Sequence, residues 1–253
     1  MANKTKTTRS PRRKKLTNEE QGLGYDAMMR EPDTRTIDNI HVNLKCKTAN
    51  QKVLVNLIKS KDITICSGYP GSGKTYIACA VALELLKNNP QRFKKIVIVK
   101  SVTTLKEEEI GFLKGTLKEK MEPFMYSFMG NFEKIIGKSM LENLKANGII
   151  EELPLAYIRG ITIDNAIIIV DETQNINKKN LRSITTRLGE DSKMIFLGDE
   201  EQIDMKDTTN SSLSYAMRYF KNLDEVGTVF FGEEDVVRHP LIKKIEQIFR
   251  ENP

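Results

Sequence analysis

The residues most able to do chemistry form a glycine-rich stretch, residues 63–75, which reads ITICSGYPGSGKT. Its glycines let the chain bend so that successive backbone N–H groups point at one anion. Lys74 can place its ammonium group on the β- and γ-phosphates of a nucleotide, and the Thr75 hydroxyl can bind magnesium where the next helix begins. We therefore predict a nucleotide site formed by consecutive residues, namely Gly68, Tyr69, Pro70, Gly71, Ser72, Gly73, Lys74, Thr75 and Tyr76.

A second chemical cluster, Asp171 and Glu172, directly follows the apolar run at 166–170. A carboxylate at the tip of a buried strand beside a phosphate loop can hold magnesium, directly or through water, so Asp171 is the predicted partner of Thr75. In an extended chain the next side chain points elsewhere, toward where an attacking water could sit. Glu172 is therefore the predicted general base.

Polar residues also follow the apolar run at 194–197, where Gly198, Asp199 and Gln202 stand. Gln202 is placed to sense the γ-phosphate or to orient water, and Asp199 could hold that geometry; a plain turn is the alternative. Lys100 and Ser101 end another strand-like run, where they either touch a ligand or form an ordinary solvated strand end. Open α/β sheets bind ligands at the carboxyl ends of their strands, which favours one shared site.

Five short, largely apolar runs indicate the strands that position these motifs. Such runs are typical of strands buried on both faces of a parallel sheet, and they lie at residues 63–66, 96–99, 166–170, 194–197 and 228–231. Two further runs, at 149–153 and 158–163, predict short strands at the sheet edge. The fold class is therefore α/β with a parallel sheet flanked by helices.

Helical spacing of apolar residues predicts the remaining elements. Helices are expected from Asn50, after Gly73, at 180–188 and at 241–249. The stretch 105–147 departs from the strand–helix alternation and is predicted to be a helical insertion. A chain of 253 residues suffices for one substantial α/β domain, and the sequence has no apolar run near the length of a membrane span.

The first 15 residues carry seven lysines and arginines and no acid, so they hold a charge of +7 while the remaining 33 basic and 34 acidic residues sum to −1. A polar, proline-containing run of this kind is expected to be disordered. It either attracts nucleic-acid phosphates or merely aids solubility. Residues 16–47 are predicted to be an irregular lead-in, which makes 1–47 one segment and 48–253 the core domain. No signal peptide is visible, and three cysteines without paired or metal-like spacing favour a reducing, cytoplasmic location.

Five segments together resemble the PhoH family of ATPases, from about residue 49 to the C-terminus. They are GYPGSGKT at 68–75, IGFLKGTLKEKMEPFM at 110–125, PLAYIRGITIDNAIIIVDETQN at 154–175, TRLGEDSKMIFLGDEEQID at 186–204 and DVVRHPL at 235–241. The phosphate loop alone is shared by all P-loop proteins, whereas GFLKG, LAYIRG, TRLG and VVRHP in this order are specific to the family. One departure is the stretch 205–213, which lacks the family's usual glycine and leaves the role of that loop open.

The resemblance implies a RecA-like P-loop NTPase core, akin to a superfamily-one helicase motor domain, with strand order 5-1-4-3-2. It also implies hydrolysis of ATP with Mg²⁺, association with single-stranded RNA or DNA, and ring-shaped hexamers. On this basis Gln51 is expected to recognise adenine. Arg238 is expected to face the phosphates near a subunit interface, so that one subunit's arginine completes its neighbour's site.

The main alternative is an ATP-dependent regulatory or assembly protein that acts on a protein partner. A small-molecule kinase is a weaker choice because no lid with paired arginines is evident, and a GTPase is weaker still because NKKN at 177–180 lacks the aspartate that would read guanine. We expect no room for the PIN nuclease domain of some relatives. Such compact forms are frequent in bacteriophages, so the expected location is the cytoplasm of a bacterium or of a phage host.

Overall fold

The computed structural model describes residues 34–100, 117–203 and 211–239, together with 241, 242, 244, 245 and 248. The predicted disordered tail, Ser101, the first part of the helical insertion and most of the loop at 205–213 lie outside these residues.

A six-stranded, all-parallel sheet forms the centre of the described fold. Its strands are β1 (Ile63–Gly68), β2 (Lys95–Lys100), β3 (Ile150–Pro154), β4 (Ala166–Asp171), β5 (Lys193–Gly198) and β6 (Val226–Phe231). They lie side by side in the order β3-β2-β4-β5-β1-β6. Every residue of β4 and of β5 is buried, as the continuous apolar runs predicted.

The five predicted core strands are present in the predicted order, and β3 extends the sheet by one strand beyond β2. The observed order therefore differs from the five-strand prediction only by this added edge strand. The prediction of a strand at 158–163 is wrong, because this segment crosses over β2 outside the sheet, and its described β-pairing is an isolated bridge from Ile163 to Leu188, a residue that also lies outside the strands. Parallel strands of one sheet need such crossover connections, and the short one between β3 and β4 leaves little chain for a strand.

The described residues of 241–248 are helical, as predicted, and six helices with described bounds flank the sheet. They are α1 (Ala49–Ser60), α2 (Lys74–Asn88), α3 (Leu117–Ile136), α4 (Lys138–Ala146), α5 (Lys178–Thr185) and α6 (Ser212–Tyr219). The first four pack in series against one face of the sheet, where Ile167 and Ile169 join their core. Side chains alternate across a strand, so Ile168 and Val170 point to the other face, on which right-handed crossovers place α5 and α6.

The described part of the lead-in packs onto the α1–α4 face. Residues Thr34–Asn39 form a 3-10 helix, and the side chains of Ile37 and Ile40 are fully buried in the core. The Lys87 ammonium of α2 donates to the Ile40 carbonyl at 2.6 Å, which fixes the segment across that helix. None of the helices within the described residues is both long and apolar enough to span a bilayer.

Candidate nucleotide site

The glycine-rich loop lies between β1 and α2, with its backbone held by the end of β6. Gly68 has φ of +143°, and a Cβ there would collide with the Phe231 carbonyl. The amide of Tyr69 donates to that same carbonyl at 3.2 Å. Only glycine fits this close approach between two backbones, which explains the first glycine of the motif.

Lys74 begins α2 and turns back into the loop. Its ammonium group donates to the carbonyls of Gly68 at 2.6 Å and Tyr69 at 2.8 Å, and reaches the Ser72 hydroxyl at 3.4 Å. Burial lowers the pKa of Lys74, although the negative groups around it, Asp171 among them, oppose this shift. Lys74 is therefore a desolvated cation at the centre of the loop, where its electrostatic attraction for a phosphate is strongest.

Asp171 ends β4, on the same edge of the sheet as the loop, and lines one cavity with Thr75. Burial, and then the neighbouring charge of Glu172, raises the pKa of Asp171 to about 6, while Lys100, 4.0 Å away, lowers it. Asp199 lines the cavity too, and its buried Oδ2 has no hydrogen-bond donor among the described residues. Carboxylate and hydroxyl oxygens are what Mg²⁺ prefers, so Thr75, Asp171 and Asp199 fit a hydrated magnesium ion.

Glu172 adopts the left-handed conformation, with φ of 52° and ψ of 39°, so the expectation that it continues an extended chain is wrong. Such a backbone is uncommon outside glycine and is found where the surrounding structure imposes it. The turn leaves the Glu172 side chain lining the cavity beside Asp171, with one oxygen, Oε2, accepting a hydrogen bond from Gln174 at 2.6 Å. A sharp turn thus brings Glu172 to the cavity, and its role as general base stays a prediction.

Gln174 is a site residue that the sequence analysis missed. It is fully buried, and its Nε2 donates both to Glu172 and, at 3.1 Å, to the Gln202 carbonyl. Its Oε1 accepts from the Asp199 amide at 3.1 Å. One side chain therefore connects the loops that follow β4 and β5, and its position two residues after Glu172 is the only sequence signal that could have identified it.

A cavity of about 300 Å³ at this edge brings the predicted residues together. The residues that line it are Pro70, Gly71, Gly73, Lys74, Thr75, Tyr76, Asn131, Asp171, Glu172, Gly198, Asp199 and Gln202. Asn131 was missed, because the helical insertion that carries it gives no sign of which of its residues faces the site. Gly68, Tyr69 and Ser72 shape the loop from outside the cavity lining.

Gln51 lies beneath the loop and is 4% exposed. Its Nε2 donates to the Ser72 carbonyl at 2.9 Å, and its Oε1 accepts from the Lys47 amide at 2.6 Å. Both ends of this amide therefore serve the protein itself in the observed arrangement. Its role in recognising adenine stays a prediction.

Arg238 lies against the loop of its own chain. A Cβ on Gly71, which has φ of +80°, would collide with the Arg238 side chain, and the Val237 amide donates to the Gly71 carbonyl at 3.1 Å. The carboxylate of Asp235, which is 1% exposed, anchors this segment by accepting from Asn50 Nδ2 at 2.7 Å. The expected action of Arg238 on a neighbouring subunit stays a prediction, and its observed contact is within one chain.

Comparison with protein families matches residues 43–250 to the model described as PhoH-like protein. A PhoH-like protein of Bacillus subtilis is 36% identical over 89% of this chain and 69% of its own length. Protein PhoH of Escherichia coli K12 is 35% identical over 74% of this chain and 52% of its own length. The chain thus spans about half to two thirds of these relatives.

Solved structures give more distant matches. The large terminase of a thermophilic bacteriophage is 14% identical, with a TM-score of 0.46 over 79% of this chain and 49% of that one. Pif1 helicase from Candida albicans is also 14% identical, with a TM-score of 0.37 over 81% of this chain and 44% of that one.

Proposed function

Because the chain belongs to the PhoH-like protein family, we propose that it is a magnesium-dependent ATPase whose hydrolysis of ATP is coupled to the binding, or to the remodelling or unwinding, of single-stranded RNA or DNA. The observation that carries the proposal is the convergence of Lys74, Thr75, Asp171 and Glu172 on one cavity at the carboxyl edge of the sheet. A phosphate loop needs an ion-holding carboxylate and a base to turn nucleotide binding into hydrolysis.

Each residue has a role that follows from its position. The loop amides and Lys74 bind the phosphates, while Thr75 and Asp171 would hold a hydrated magnesium ion, which would supply positive charge to stabilise the phosphates in the transition state. Gln174 fixes one carboxylate oxygen of Glu172 at 2.6 Å, which leaves the other to accept a proton from an attacking water. Gln202, whose carbonyl is held by the same glutamine, is exposed at the rim, where it suits a γ-phosphate sensor.

The nucleic-acid half of the proposal rests on family membership and on the basic first 15 residues. The decisive experiment measures ATP turnover with and without a panel of single-stranded and duplex RNA and DNA. We expect single strands to stimulate turnover. Absence of nucleic-acid binding even at low salt would instead favour an ATP-driven regulator of a protein partner, since electrostatic binding is strongest there.

We also propose that the active form is a ring-shaped homo-oligomer, a hexamer in the family's pattern, in the cytoplasm. The described sheet and its helices make one motor-sized domain, and further copies of it would supply the second motor surface that translocation along a strand needs. Sedimentation or light scattering combined with an activity assay tests this. A strict monomer with full nucleic-acid-stimulated activity would refute the ring.

A further inference from the structure

A basic cavity lies away from the nucleotide site, between the crossover at 158–163 and the last turn of α5. It has a volume of about 190 Å³, and its lining residues are Arg159, Gly160, Arg182, Ser183, Thr186 and Arg187. Three guanidinium groups and two hydroxyls surround it, and none of the described residues that line it carries a carboxylate. Guanidinium and hydroxyl donors of this kind match the oxygens of a phosphate group.

The arginines around this cavity keep unused donors. Arg187 donates to the Ile161 carbonyl and to the Thr186 hydroxyl, both at 2.9 Å, but its buried Nε has no acceptor among the described residues. Arg159 donates to Asn180 Oδ1 at 3.2 Å, and the Arg182 side chain has no hydrogen bond or ion pair with any of the described residues. Three adjacent cations without a compensating carboxylate favour an anionic ligand.

Two exposed tyrosine rings of α6 lie beside the first residue of α5 and extend this surface. Tyr215 and Tyr219 of α6 are 37% and 54% exposed, and their ring centroids lie 4.7 Å apart. The Lys178 ammonium lies 5.4 Å from the centre of the Tyr215 ring, and the Arg218 guanidinium lies 5.4 Å from that of Tyr219. Aromatic faces interleaved with cations are typical of surfaces that bind unpaired nucleotides, because bases stack on the rings while phosphates meet the charges.

Helix α5 joins the two groups of residues. Lys178 and Arg182 are four residues apart, so they lie on one face of the helix about 6 Å apart along its axis. The sequence of α5, KKNLRSIT, contains three cations and no acid. One continuous strip of positive charge therefore runs from the tyrosines to the arginine cavity.

We propose that this α5–α6 surface, formed by Arg159, Arg182, Arg187, Lys178, Tyr215 and Tyr219, binds single-stranded nucleic acid. Phosphates lie at the arginines and bases stack on the tyrosines. The inference rests on the proposed function and deepens it by naming the surface on which the strand lies.

The same helices contact the loop that carries the general base, which gives the surface a route to the nucleotide site. Helix α5 begins six residues after Glu172. At the start of α6, the Ser212 hydroxyl donates to the Thr173 carbonyl at 2.7 Å, and its amide donates to the Ile176 carbonyl at 3.0 Å. A strand that displaces either helix therefore acts directly on the segment after Glu172, which is how binding would stimulate hydrolysis.

The test measures the affinity of the full chain for labelled oligodeoxythymidine and oligouridine over a range of salt concentrations. The double variant Arg159→Ala/Arg182→Ala removes two exposed cations that contribute little to the fold. We expect at least a tenfold loss of affinity. The slope of log affinity against log salt should fall by about 0.7 for each phosphate contact removed, or about 1.4 in total.

The matched control, Lys52→Ala/Lys134→Ala, removes two exposed cations from α1 and α3 on the opposite face. It should leave the slope nearly unchanged. For stacking, Tyr219→Ala should weaken binding at least about fivefold, whereas Tyr126→Ala, which removes a 76% exposed ring from α3, should not. Basal ATPase activity without nucleic acid should match the wild type in all four variants.

The outcomes separate this inference from the proposed function. If the wild type binds no single strand even at low salt, the nucleic-acid function fails and this surface fails with it. If the wild type binds but the arginine variant behaves like its lysine control, the function stands and the α5–α6 surface is refuted. If the arginine variant instead loses assembly by light scattering and keeps its affinity for the strand, the surface is an interface between copies, which also refutes the inference.

Discussion

Asp235 holds the segment after β6 against the phosphate loop, and removing its carboxylate tests how much the nucleotide site depends on that contact. Its Oδ2 accepts from Asn50 Nδ2 at 2.7 Å and from the Gly232 amide at 3.0 Å, in a position that is 1% exposed. The segment continues to Val237, whose amide donates to the Gly71 carbonyl. Asp235→Ala therefore loosens the outer wall of the loop without touching a residue that lines the cavity.

The size of the effect follows from the two donors that would lose their acceptor. Both donors are only partly buried, but each hydrogen bond to the buried carboxylate contributes about 1–3 kcal/mol, so losing both should lower the free energy of unfolding by about 2–6 kcal/mol. The loop then fluctuates more, and we expect the dissociation constant for ADP to rise at least fivefold, equivalent to about 1 kcal/mol.

The assay is urea denaturation of Asp235→Ala, Asn50→Ala and the double variant, together with titration of a fluorescent ADP analogue. The double-mutant cycle should give a coupling of about 1–3 kcal/mol for the hydrogen bond between the two side chains. Glu234→Ala is the control, because it removes an exposed carboxylate from the same turn. A coupling below about 0.5 kcal/mol, or a loss of stability with unchanged ADP affinity, would refute the reasoning.

Three further predictions concern the cavity itself. Glu172→Gln should retain nucleotide binding while single-turnover hydrolysis slows by about 10²–10⁴-fold, unlike the exposed control Glu200→Gln; unchanged turnover would exclude Glu172 as the base. The magnesium concentration needed for half-maximal turnover should rise as the pH drops through about 6, because a proton then competes with the ion for Asp171. In metal-free protein the raised pKa means that this group's contribution to stability is lost as the pH rises from the ordinary pKa of an aspartate through about 6. Urea denaturation with EDTA should show that slope flattened in Asp171→Asn. Gly71→Ala should weaken ADP binding in the same titration, since its φ of +80° and the Arg238 side chain both oppose a Cβ. Gly130→Ala, where no atom of the described residues lies within 4 Å of the added Cβ, should be neutral. Equal affinities in the two alanine variants would contradict this.

The parts of the site that sequence could predict are those whose chemistry depends on neighbours along the chain. The phosphate loop around Lys74 and the acidic pair after β4 can be recognised from sequence, because each is formed by consecutive residues. Five apolar runs likewise predict five strands, although their order came from the family resemblance. The edge position of β3 was also foreseen from its apolar run.

What the sequence could not predict depends on contacts between distant residues. Asn50 and Asp235 are 185 positions apart, and neither stands in a pattern that names its partner. Gln174 connects two loops only because β4 and β5 are neighbours in the sheet. The left-handed turn at Glu172 was missed because a glutamate gives no local sign of positive φ, which the packing around it must impose.

The hydrogen bonds of Lys74 to the carbonyls of Gly68 and Tyr69 make ligand binding an exchange of acceptors. The binding free energy at Lys74 is therefore a difference: the interaction of the ammonium group with the ligand's oxygens minus its interaction with the two backbone carbonyls. A neutral molecule, or one whose charged group does not reach the ammonium group, cannot replace the two carbonyls with stronger acceptors. Adjacent phosphates can, because hydrogen bonds from an ammonium group to charged oxygens are stronger than those to carbonyls. The loop thus discriminates by charge and reach before any contact with the base of the nucleotide.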